Sequence, residues 1–418
     1  MTSVPAADAA QKEAVLPRIG SAIDVALERE RTLGAHASHH FNAAGAALPT
    51  AAVVSAVVDH LRLEEQMGGY EAAAQVKDDI EAVYGSAARL LGSDADEIAL
   101  FDSASTGLRV LLDALRPAAG SRIIASRSTY VSHALHLMTV RDEHDVELVL
   151  APTDAHRRVD LDALDALLAD GRPTILTIAH VPTSSGLVEP VAEIGHLARR
   201  YGAVYLLDAT QSVGHLGIDV AEIGCHVLVT TGRKFLRAPR GTALAYVERR
   251  TAAALAPTAP DVRGSQWLAE GEWDVATSAR RFETWESSVA GRLGLGVALE
   301  EASRRGIAET AGWLTSTGGL LRESLREIPG VVIADPADSR SAIVTFLVEG
   351  LPSAHAAALL AERQVRVVSV PATHGQWDLG DRAIASVVRA SPHVYNDESD
   401  LAALIDGVAH IAREGARR

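Results

Sequence analysis

The 418-residue sequence predicts an α/β protein with a large domain on a mainly parallel, doubly wound sheet of seven strands, followed by a smaller α+β domain. Three observations predict this fold. Short β-branched runs alternate with amphipathic stretches between residues 97 and 247. These runs are apolar on both faces, which is typical of a buried parallel sheet. A second group of strand-like runs follows a long helical stretch near the C-terminus.

The first segment, residues 1–40, is predicted to be an N-terminal arm that packs with the small domain. Its helical piece runs from Ser21 to Arg31, where apolar residues stand among charged ones. The large domain is expected over residues 41–300 and the small domain over residues 301–418.

Strand and helix patterns alternate through the large domain. Leu161 to Ala169 and Val191 to Tyr201 have helical spacing, and Gly202 stands where a C-cap glycine is expected. Strand, helix, strand alternation favours parallel pairing. The seven strand candidates read, in order, EIALFDS, RIIAS, VELVLA, TILTIAH, AVYLLD, HVLVTT and TALAYV.

The small domain is predicted from a helical stretch, Gly306 to Ile328, and a final one, Glu398 to Arg413. Between them the chain has three strand-like runs, VVIAD, SAIVTFLV and QVRVVSV. Helices and strands are segregated here rather than alternating, which indicates an α+β unit.

Composition excludes several classes of protein. With 48% hydrophobic and 22% charged residues, disorder does not fit. The 39 basic against 54 acidic residues give a formal charge of -15, which disfavours a nucleic-acid partner. The single cysteine, Cys225, excludes an internal disulfide and a multi-cysteine metal cage, and it fits a reducing compartment.

Membrane and export features are also not expected. No run approaches the roughly 18 apolar residues that a bilayer span needs. The N-terminus, Met1 to Ala10, lacks the basic start and apolar run of a signal peptide. A cytoplasmic location without membrane contact is therefore predicted.

Lysine usage points to one position. The chain has only three lysines, and Lys12 and Lys77 lie in charged segments that fit a solvated surface. Lys234 instead follows the apolar strand HVLVTT, at the carboxyl end where α/β folds place their sites. A lysine can form a Schiff base there and an arginine cannot.

Asp208 closes the apolar strand AVYLLD. A carboxylate at the end of a buried strand is costly unless it is paired. Two interpretations stay open from the residues alone: Asp208 caps the following turn, or it pairs with a buried cation such as a protonated pyridine nitrogen.

Asp208, Gln211 three residues later and Lys234 within TTGRK together resemble the class V aminotransferase and cysteine desulfurase superfamily of pyridoxal 5'-phosphate (PLP) enzymes. The resemblance extends from FNAAGAALP at Phe41 to VRASPHVYN at Val388. It implies the PLP-dependent transferase fold of type I, PLP as the cofactor, and a homodimer whose active sites lie at the subunit interface.

The resemblance also implies roles for cofactor-binding residues. Lys234 would form the Schiff base, Asp208 would keep the pyridine nitrogen protonated, and Gln211 would bond the ring hydroxyl. Three hydroxyl side chains match the phosphate positions of the family, where a helix start also favours an anion: Ser105, Thr106 and Thr231.

The resemblance also implies residues that contact the face of the cofactor ring and residues that bind the substrate. Tyr130 stands where the family stacks an aromatic ring on the cofactor, although a plain core aromatic is the alternative. Arg389 matches the arginine that binds an α-carboxylate, and a surface arginine is its alternative. Asn42 and Ala44 are further substrate-binding candidates, so an α-amino acid substrate is expected.

The sequence departs from the family in two places. The stretch VVSVPATHGQWDLGD, where desulfurases carry their nucleophilic cysteine, has none, and Cys225 lies in a strand where a buried, inert thiol is expected. Trp285 and Glu286 replace a Gly-Thr pair that reaches the partner subunit's phosphate in relatives. The roles of these two residues are not indicated. His374 and Trp377 fall where the desulfurase loop lies, so they are expected to line the mouth of the pocket, with a surface position as the alternative.

Together with GGYEAA at Gly68 and the arginines of FLRAPRGT, Arg237 and Arg240, these departures resemble the branch of isopenicillin N epimerase-like proteins and cysteine-conjugate C–S lyases. The prediction is a PLP-dependent enzyme that cleaves the C–S bond of an S-substituted cysteine by β-elimination. Transamination is the alternative, followed by epimerisation or racemisation. A non-catalytic scaffold would be expected to have lost Lys234 or Asp208.

Other apparent motifs have structural interpretations, and no metal site is predicted. His36, His39 and His40 fit a solvated segment, and His133 with His136 lacks an acidic third ligand. GRLGLG at Gly291 follows no strand, so close helix packing explains it better than dinucleotide binding.

Overall fold

A computed structural model describes residues 23–415, so the first part of the predicted arm, including the start of its helix, lies outside the described residues. The described chain begins with one short helix, a two-residue strand and four further helices. These are α1 (Val25–Glu30), β1 (His39–His40), α2 (Ala43–Ala46), α3 (Ala51–Met67), α4 (Gly69–Gln75) and α5 (Lys77–Leu91).

A seven-stranded sheet follows, as predicted. Its order is β2-β8-β7-β6-β5-β3-β4, and only β8 runs antiparallel to its neighbours. The apolar runs on both faces are buried because helices cover both sides of the sheet. The strands are β2 (Ile98–Phe101), β3 (Arg122–Ala125), β4 (Glu147–Leu150), β5 (Thr174–Ala179), β6 (Val204–Asp208), β7 (Val227–Thr231) and β8 (Ala243–Val247).

Helices connect the parallel strands. The second predicted helix has the expected bounds, and Gly202 ends it with a left-handed φ of 67° that a side chain would disfavour. Asp160 caps the first predicted helix by accepting from Ala163 N. The helices are α6 (Ala104–Leu115), α7 (Val131–His144), α8 (Leu161–Leu168), α9 (Val191–Tyr201) and α10 (Val220–Ile223).

The segment after the sheet contains a hairpin that the sequence did not predict, followed by two long helices. GRLGLG lies within the first long helix, where a Cβ at Gly294 would come within 2.6 Å of Pro239 and 2.8 Å of Val57. Close packing therefore explains the glycines, as predicted. These elements are α11 (Arg249–Ala254), β9 (Ser265–Ala269), β10 (Glu272–Val275), α12 (Val289–Arg305) and α13 (Ile307–Arg326).

The C-terminal part is an antiparallel sheet of order β11-β12-β15-β14 with helices beside it. Its third predicted strand is split, because Val365–Arg366 pairs with β1 while Val368–Pro371 joins this sheet. The domain boundaries themselves stay predictions. The elements are β11 (Val331–Ile333), β12 (Val344–Val348), α14 (Ser353–Glu362), β13 (Val365–Arg366), β14 (Val368–Pro371), β15 (Ser386–Ala390) and α15 (Glu398–Gly415).

The described end of the arm is tied to this C-terminal part. Arg29 pairs with Asp397 at 3.0 Å and with Asp400 at 2.5 Å. His39 Nδ1 lies 2.6 Å from the other oxygen of Asp400. Asp400 is buried, so these contacts satisfy a carboxylate that would otherwise be costly to bury.

One segment, residues 43–67, has the length and composition of a membrane-spanning helix, so the expectation that no such stretch exists is too strong. The segment is not one continuous helix. Ala47 is extended and Pro49 follows it, which separates α2 from the 17-residue α3. Length and composition alone are weak evidence for a span.

Candidate active site

A cavity of about 420 Å³ lies at the carboxyl ends of β5, β6 and β7. The parallel strands end at the same edge of the sheet, and the loops that leave them in different directions create the space. The first turn of α6, residues of β14, and Arg389 of β15 complete its wall. Residues distant in sequence therefore meet at the place where the sequence predicts a site.

Lys234 lines this cavity three residues after β7 ends. Its side chain is buried, and burial lowers the pKa of its amine to about 7, with Arg233 adding to the effect and Asp208 opposing it. A large fraction of the amine is thus neutral near pH 7. A neutral amine is the form that attacks a carbonyl carbon.

Asp208 is the last residue of β6 and faces the same cavity. Its Oδ1 accepts a hydrogen bond from Thr210 N at 2.9 Å. The carboxylate therefore caps the following turn, and the same group is placed to pair with a cation in the cavity. The two interpretations from the sequence are compatible in this geometry.

Arg389 reaches the cavity from β15 and is held by two segments that lie far from it in sequence. Its Nη1 donates to Thr183 Oγ1 at 2.5 Å, and its Nη2 donates to Asn42 Oδ1 at 3.1 Å. Its buried Nε has no hydrogen-bond partner within the described residues. A buried guanidinium with a free donor is suited to bind a carboxylate.

Gln211 also has a buried polar atom without a hydrogen-bond partner among the described residues. Its Nε2 donates to Ala44 O at 3.1 Å, which orients the amide. Its Oε1 is buried with no hydrogen-bond partner in the described part of the chain. Such an atom is costly unless a ligand satisfies it, so a ligand hydroxyl at this position fits the site.

The start of α6 supplies an anion site. Ser103 caps the helix by accepting from Thr106 N at 3.1 Å, and its Oγ lies 2.9 Å from Thr106 Oγ1. Ser103 and Ser105 line the cavity, as does Thr231, whereas Thr106 does not. The positive end of this 12-residue helix points to the cavity edge, which suits a phosphate.

Aromatic and imidazole rings border the cavity. Tyr130 stands at the start of α7, and its ring lies 6.1 Å from that of His374 in an edge arrangement. His133 also lines the cavity, and its Nε2 forms a hydrogen bond with Thr177 Oγ1 at 2.8 Å. Burial lowers the pKa of His133 to about 3. His133 is therefore neutral at physiological pH.

These residues fit PLP bound with an amino acid. The cofactor has an aldehyde, a ring hydroxyl, a ring nitrogen and a phosphate. In the same order, the cavity offers the amine of Lys234 with its lowered pKa, the unpaired Oε1 of Gln211, the carboxylate of Asp208 and the first turn of α6. The free Nε of Arg389 is left for the carboxylate of the amino acid.

Most residues predicted for the site are together. The cavity is lined by Lys234, Asp208, Gln211, Arg389, Ser105, Thr231, Tyr130 and Ala44. Thr106 and Asn42 do not line it, but Asn42 accepts a hydrogen bond from Arg389. Of the residues whose roles the sequence left open, His374 lines the cavity. Trp377 does not line the cavity, contrary to expectation, because it packs on a hydrophobic cluster. Trp285 and Glu286 are exposed.

Sequence reasoning missed Thr183, which links Arg389 to Gln211 through its hydroxyl. Thr183 follows the end of β5, the strand that pairs with the one ending in Asp208, and this position could have indicated it. Ser103 and Arg233 were also missed as cavity residues. Within residues 23–415, no group of three or more metal-ligating side chains converges.

Comparison with known proteins gives one family and several relatives. The family model of aminotransferase class-V matches residues 39–404. A cysteine desulfurase of Synechococcus elongatus is 30% identical over 70% of this chain, a match that spans 46% of that protein. A probable hercynylcysteine sulfoxide lyase of Mycobacterium tuberculosis is 27% identical over 90% of this chain and 92% of its own length.

Solved structures have the same fold. The cysteine desulfurase CsdA of Escherichia coli superposes with a TM-score of 0.86 over 94% of this chain and 98% of that one, at 23% identity. The cystine C–S lyase C-DES superposes with a TM-score of 0.81 over 90% of this chain and 99% of that one, at 21% identity.

Proposed function

We propose that this chain, which belongs to the aminotransferase class-V family and is a PLP-dependent enzyme, cleaves the C–S bond of an S-substituted cysteine by β-elimination. The net reaction consumes one water and releases a thiol, pyruvate and ammonia. The observation that carries the proposal is a cavity that places Lys234 and a free donor of Arg389 together with no thiol.

The missing thiol argues against a desulfurase reaction. Persulfide formation needs an accessible thiolate. Cys225, the chain's one cysteine, is fully buried away from the cavity, and burial raises the pKa of its thiol to about 12. The sulfur that leaves would therefore depart as a free thiolate instead of being transferred to the protein.

Two relatives support a cysteine-type substrate. The probable hercynylcysteine sulfoxide lyase matches this chain over nearly the full length of both proteins. The cysteine desulfurase of Synechococcus elongatus matches over a shorter part of its length. The sulfoxide lyase is the better guide to the reaction because lyases need no nucleophilic cysteine to accept the sulfur.

Three side chains of the cavity would have separate roles in the elimination. Arg389 Nε would hold the substrate carboxylate, which fixes the orientation of the bonds at Cα. Lys234 Nζ, neutral above about pH 7, would accept the proton from Cα as general base. Asp208 would hold a proton at the ring nitrogen of bound PLP. PLP, when bound, supplies a ring that withdraws electrons from Cα.

The partner in this proposal is a second copy of the chain. Exposed apolar residues on and beside α3 form one shallow groove, and the hairpin of β9 and β10 pairs Trp267 with Trp273, both exposed. Surfaces of this kind mark protein contacts. A homodimer would cover them, with each active site at the subunit interface.

The test is to follow the absorption of the holoenzyme during turnover of an S-alkyl cysteine while thiol and pyruvate are measured in the same sample. A lyase releases many equivalents of both and regains its starting spectrum. Stoichiometric conversion to the pyridoxamine form, with no thiol released, would instead establish transamination and overturn the proposal. A protein that purifies with PLP but changes neither spectrum nor substrate would also contradict it.

A further inference from the structure

The proposed elimination needs a proton at the sulfur, and none of the side chains assigned a role so far supplies it. Lys234 would take the proton from Cα, while the departing sulfur takes the electron pair of the broken C–S bond. An alkyl thiolate is a strong base, so it leaves slowly unless a proton reaches it as the bond breaks. A proton donor beside the sulfur is therefore expected in the cavity.

His374 lines the cavity from a turn of the C-terminal part. It is the last residue of a 3₁₀ turn, Ala372–His374, which directly follows β14. Its side chain is exposed at the mouth, and among residues 23–415 its ring contacts Tyr130 and forms no hydrogen bond or ion pair. Both ring nitrogens are therefore available to a ligand.

The strand before this turn pairs with the strand that carries Arg389. Val368 of β14 is directly opposite Arg389 in the antiparallel register, and Val368 lines the cavity. Burial lowers the pKa of Arg389 to about 10, and the nearby phenol of Tyr130 opposes this effect. Since the ring of His374 lies against Tyr130, His374 borders the end of the cavity that would hold the substrate carboxylate.

The residue after His374 packs on the loop that follows β5. A Cβ at Gly375 would come within 3.3 Å of Ser184 Oγ. Ser184 is next to Thr183, whose hydroxyl accepts a hydrogen bond from Arg389. Two independent contacts, one through β14 and one through this loop, thus place His374 on the substrate side. The sulfur of a cysteine is two bonds from Cα, so it also lies on this side.

The backbone around His374 is fixed at both ends of the turn. At its start, Ala372 N donates to Ala385 O at 2.8 Å. Beyond its end, Arg157 Nε donates to Oδ1 of the buried Asp378 at 3.1 Å. His374 is therefore held at the cavity without a hydrogen bond of its own.

The other candidate donors of the cavity are less suitable. Burial lowers the pKa of His133 to about 3, and its Nε2 is already bonded to Thr177 Oγ1. His133 therefore has no proton to give at neutral pH beyond that of its neutral ring. Tyr130 is the remaining alternative, but a phenol is a weaker acid than an imidazolium.

We propose that His374 is the general acid of the elimination and donates its imidazolium proton to the departing sulfur. The inference rests on the proposed function and adds a catalytic residue to it. The electron pair of the C–S bond goes to sulfur, an S–H bond forms as the imidazolium N–H bond breaks, and a neutral thiol departs. The imidazole regains its proton from water because the ring is exposed, and the Cα proton stays on Lys234.

Two substrates of similar size test the proton transfer. S-benzyl-L-cysteine releases a strongly basic alkyl thiolate, whereas S-(4-nitrophenyl)-L-cysteine releases a weakly basic aryl thiolate that leaves without a proton. His374→Ala should lower kcat/KM for the benzyl compound by roughly 10²-fold or more and that for the nitrophenyl compound by less than about threefold. A structural role would lower both alike, so equal losses would overturn the inference.

Further variants assign the effect to the imidazole. His374→Gln keeps a hydrogen-bond donor but cannot transfer a proton, so it should behave like His374→Ala, and wild-type activity toward the benzyl compound in this variant would contradict the acid role. His355→Ala is the matched control, because His355 is exposed on α14 and outside the cavity. If Tyr130→Phe shows the selective loss and His374→Ala does not, Tyr130 is the acid and the inference is wrong.

Exchange of the Cα proton separates this inference from the proposed function. L-Alanine has no leaving group, so in D₂O the holoenzyme should exchange its Cα proton equally fast in the wild type and in His374→Ala, because Lys234 performs that step. A much slower exchange in the variant would contradict the inference. Thiol release by the wild type with equal losses for both cysteine conjugates refutes only the role of His374, whereas exchange without any thiol release refutes the lyase reaction and this role with it.

Discussion

At the scale of single residues, the lysine of the cavity is controlled by opposing effects. Burial and the neighbouring Arg233 favour the neutral amine of Lys234, whereas Asp208 favours its protonated form. The first effect is larger, so the pKa falls from its ordinary 10.5 to about 7. The apoenzyme therefore presents a nucleophilic amine at neutral pH without a separate base.

This pKa predicts the pH dependence of cofactor capture. Only the neutral amine reacts with the aldehyde, so the rate at which apoenzyme binds PLP covalently should rise about tenfold per pH unit below 7 and level off above it. Stopped-flow absorption of apoenzyme mixed with PLP measures it. Asp208→Asn removes the charge that favours protonation, so its plateau should begin at lower pH. A rate still rising steeply at pH 9 would contradict the lowered pKa.

Substitution of the same lysine tests its role. Lys234→Ala should abolish the visible absorption band of lysine-bound PLP and lower kcat by at least roughly 10²- to 10⁴-fold, the usual contribution of a general base. Lys77→Ala is the matched control because Lys77 is exposed on α5. An unchanged spectrum in Lys234→Ala would show that another group holds the cofactor.

At the scale of secondary-structure elements, glycines set how closely the helices behind the sheet approach. Gly195 of α9 faces α10, and a Cβ there would overlap the carbonyl oxygen of Ile223. That oxygen belongs to backbone and cannot rotate away, so α9 would have to move. Gly312 of α13 is also within a helix, but a Cβ there would meet nothing within 4 Å.

The two glycines predict opposite effects of the same substitution. Gly195→Ala should destabilise the protein by about 1 to 3 kcal/mol because of overpacking. Gly312→Ala should stabilise it by up to about 1 kcal/mol because alanine has the higher helix propensity. Thermal unfolding of both holoproteins under one condition measures the difference. Equal shifts of Tm in the two variants would disprove the packing argument.

At the scale of the whole molecule, exposed apolar surface is concentrated beside α3 and on the hairpin of β9 and β10. Leu61 is 52% exposed and Trp267 81% exposed, and neither is covered by any part of residues 23–415. An acidic chain that exposes this much apolar surface gains free energy when a second copy covers it.

The proposed dimer predicts a mass of twice 44.0 kDa by light scattering. Val54→Asp combined with Val58→Asp places charges in the groove beside α3 and should shift the mass to that of one chain, with loss of activity if the partner completes the site. Val332→Asp, at an exposed position on β11, is the control and should leave the dimer intact. A wild-type protein that is monomeric and active would refute the dimer.

The sheet and the position of its site could be predicted from the sequence alone. Largely apolar runs of four to six residues predict the strands because burial of both faces is a local property of the composition. Asp208 and Lys234 could be recognised since Asp208 ends one such run and Lys234 stands three residues after another, and the carboxyl ends of parallel strands meet at one edge. The hairpin of β9 and β10 escaped prediction because its strands are exposed and carry no buried apolar pattern.

The surroundings of those two residues, in contrast, depend on how the whole chain folds. Arg389 binds Asn42, 347 positions earlier, and Thr183, 206 positions earlier. No local pattern specifies such contacts, because they depend on the order of the strands and on how the C-terminal sheet packs against the large one. The lowered pKa of Lys234 and the place of His374 at the cavity arise in the same way, since burial and proximity are properties of the folded chain.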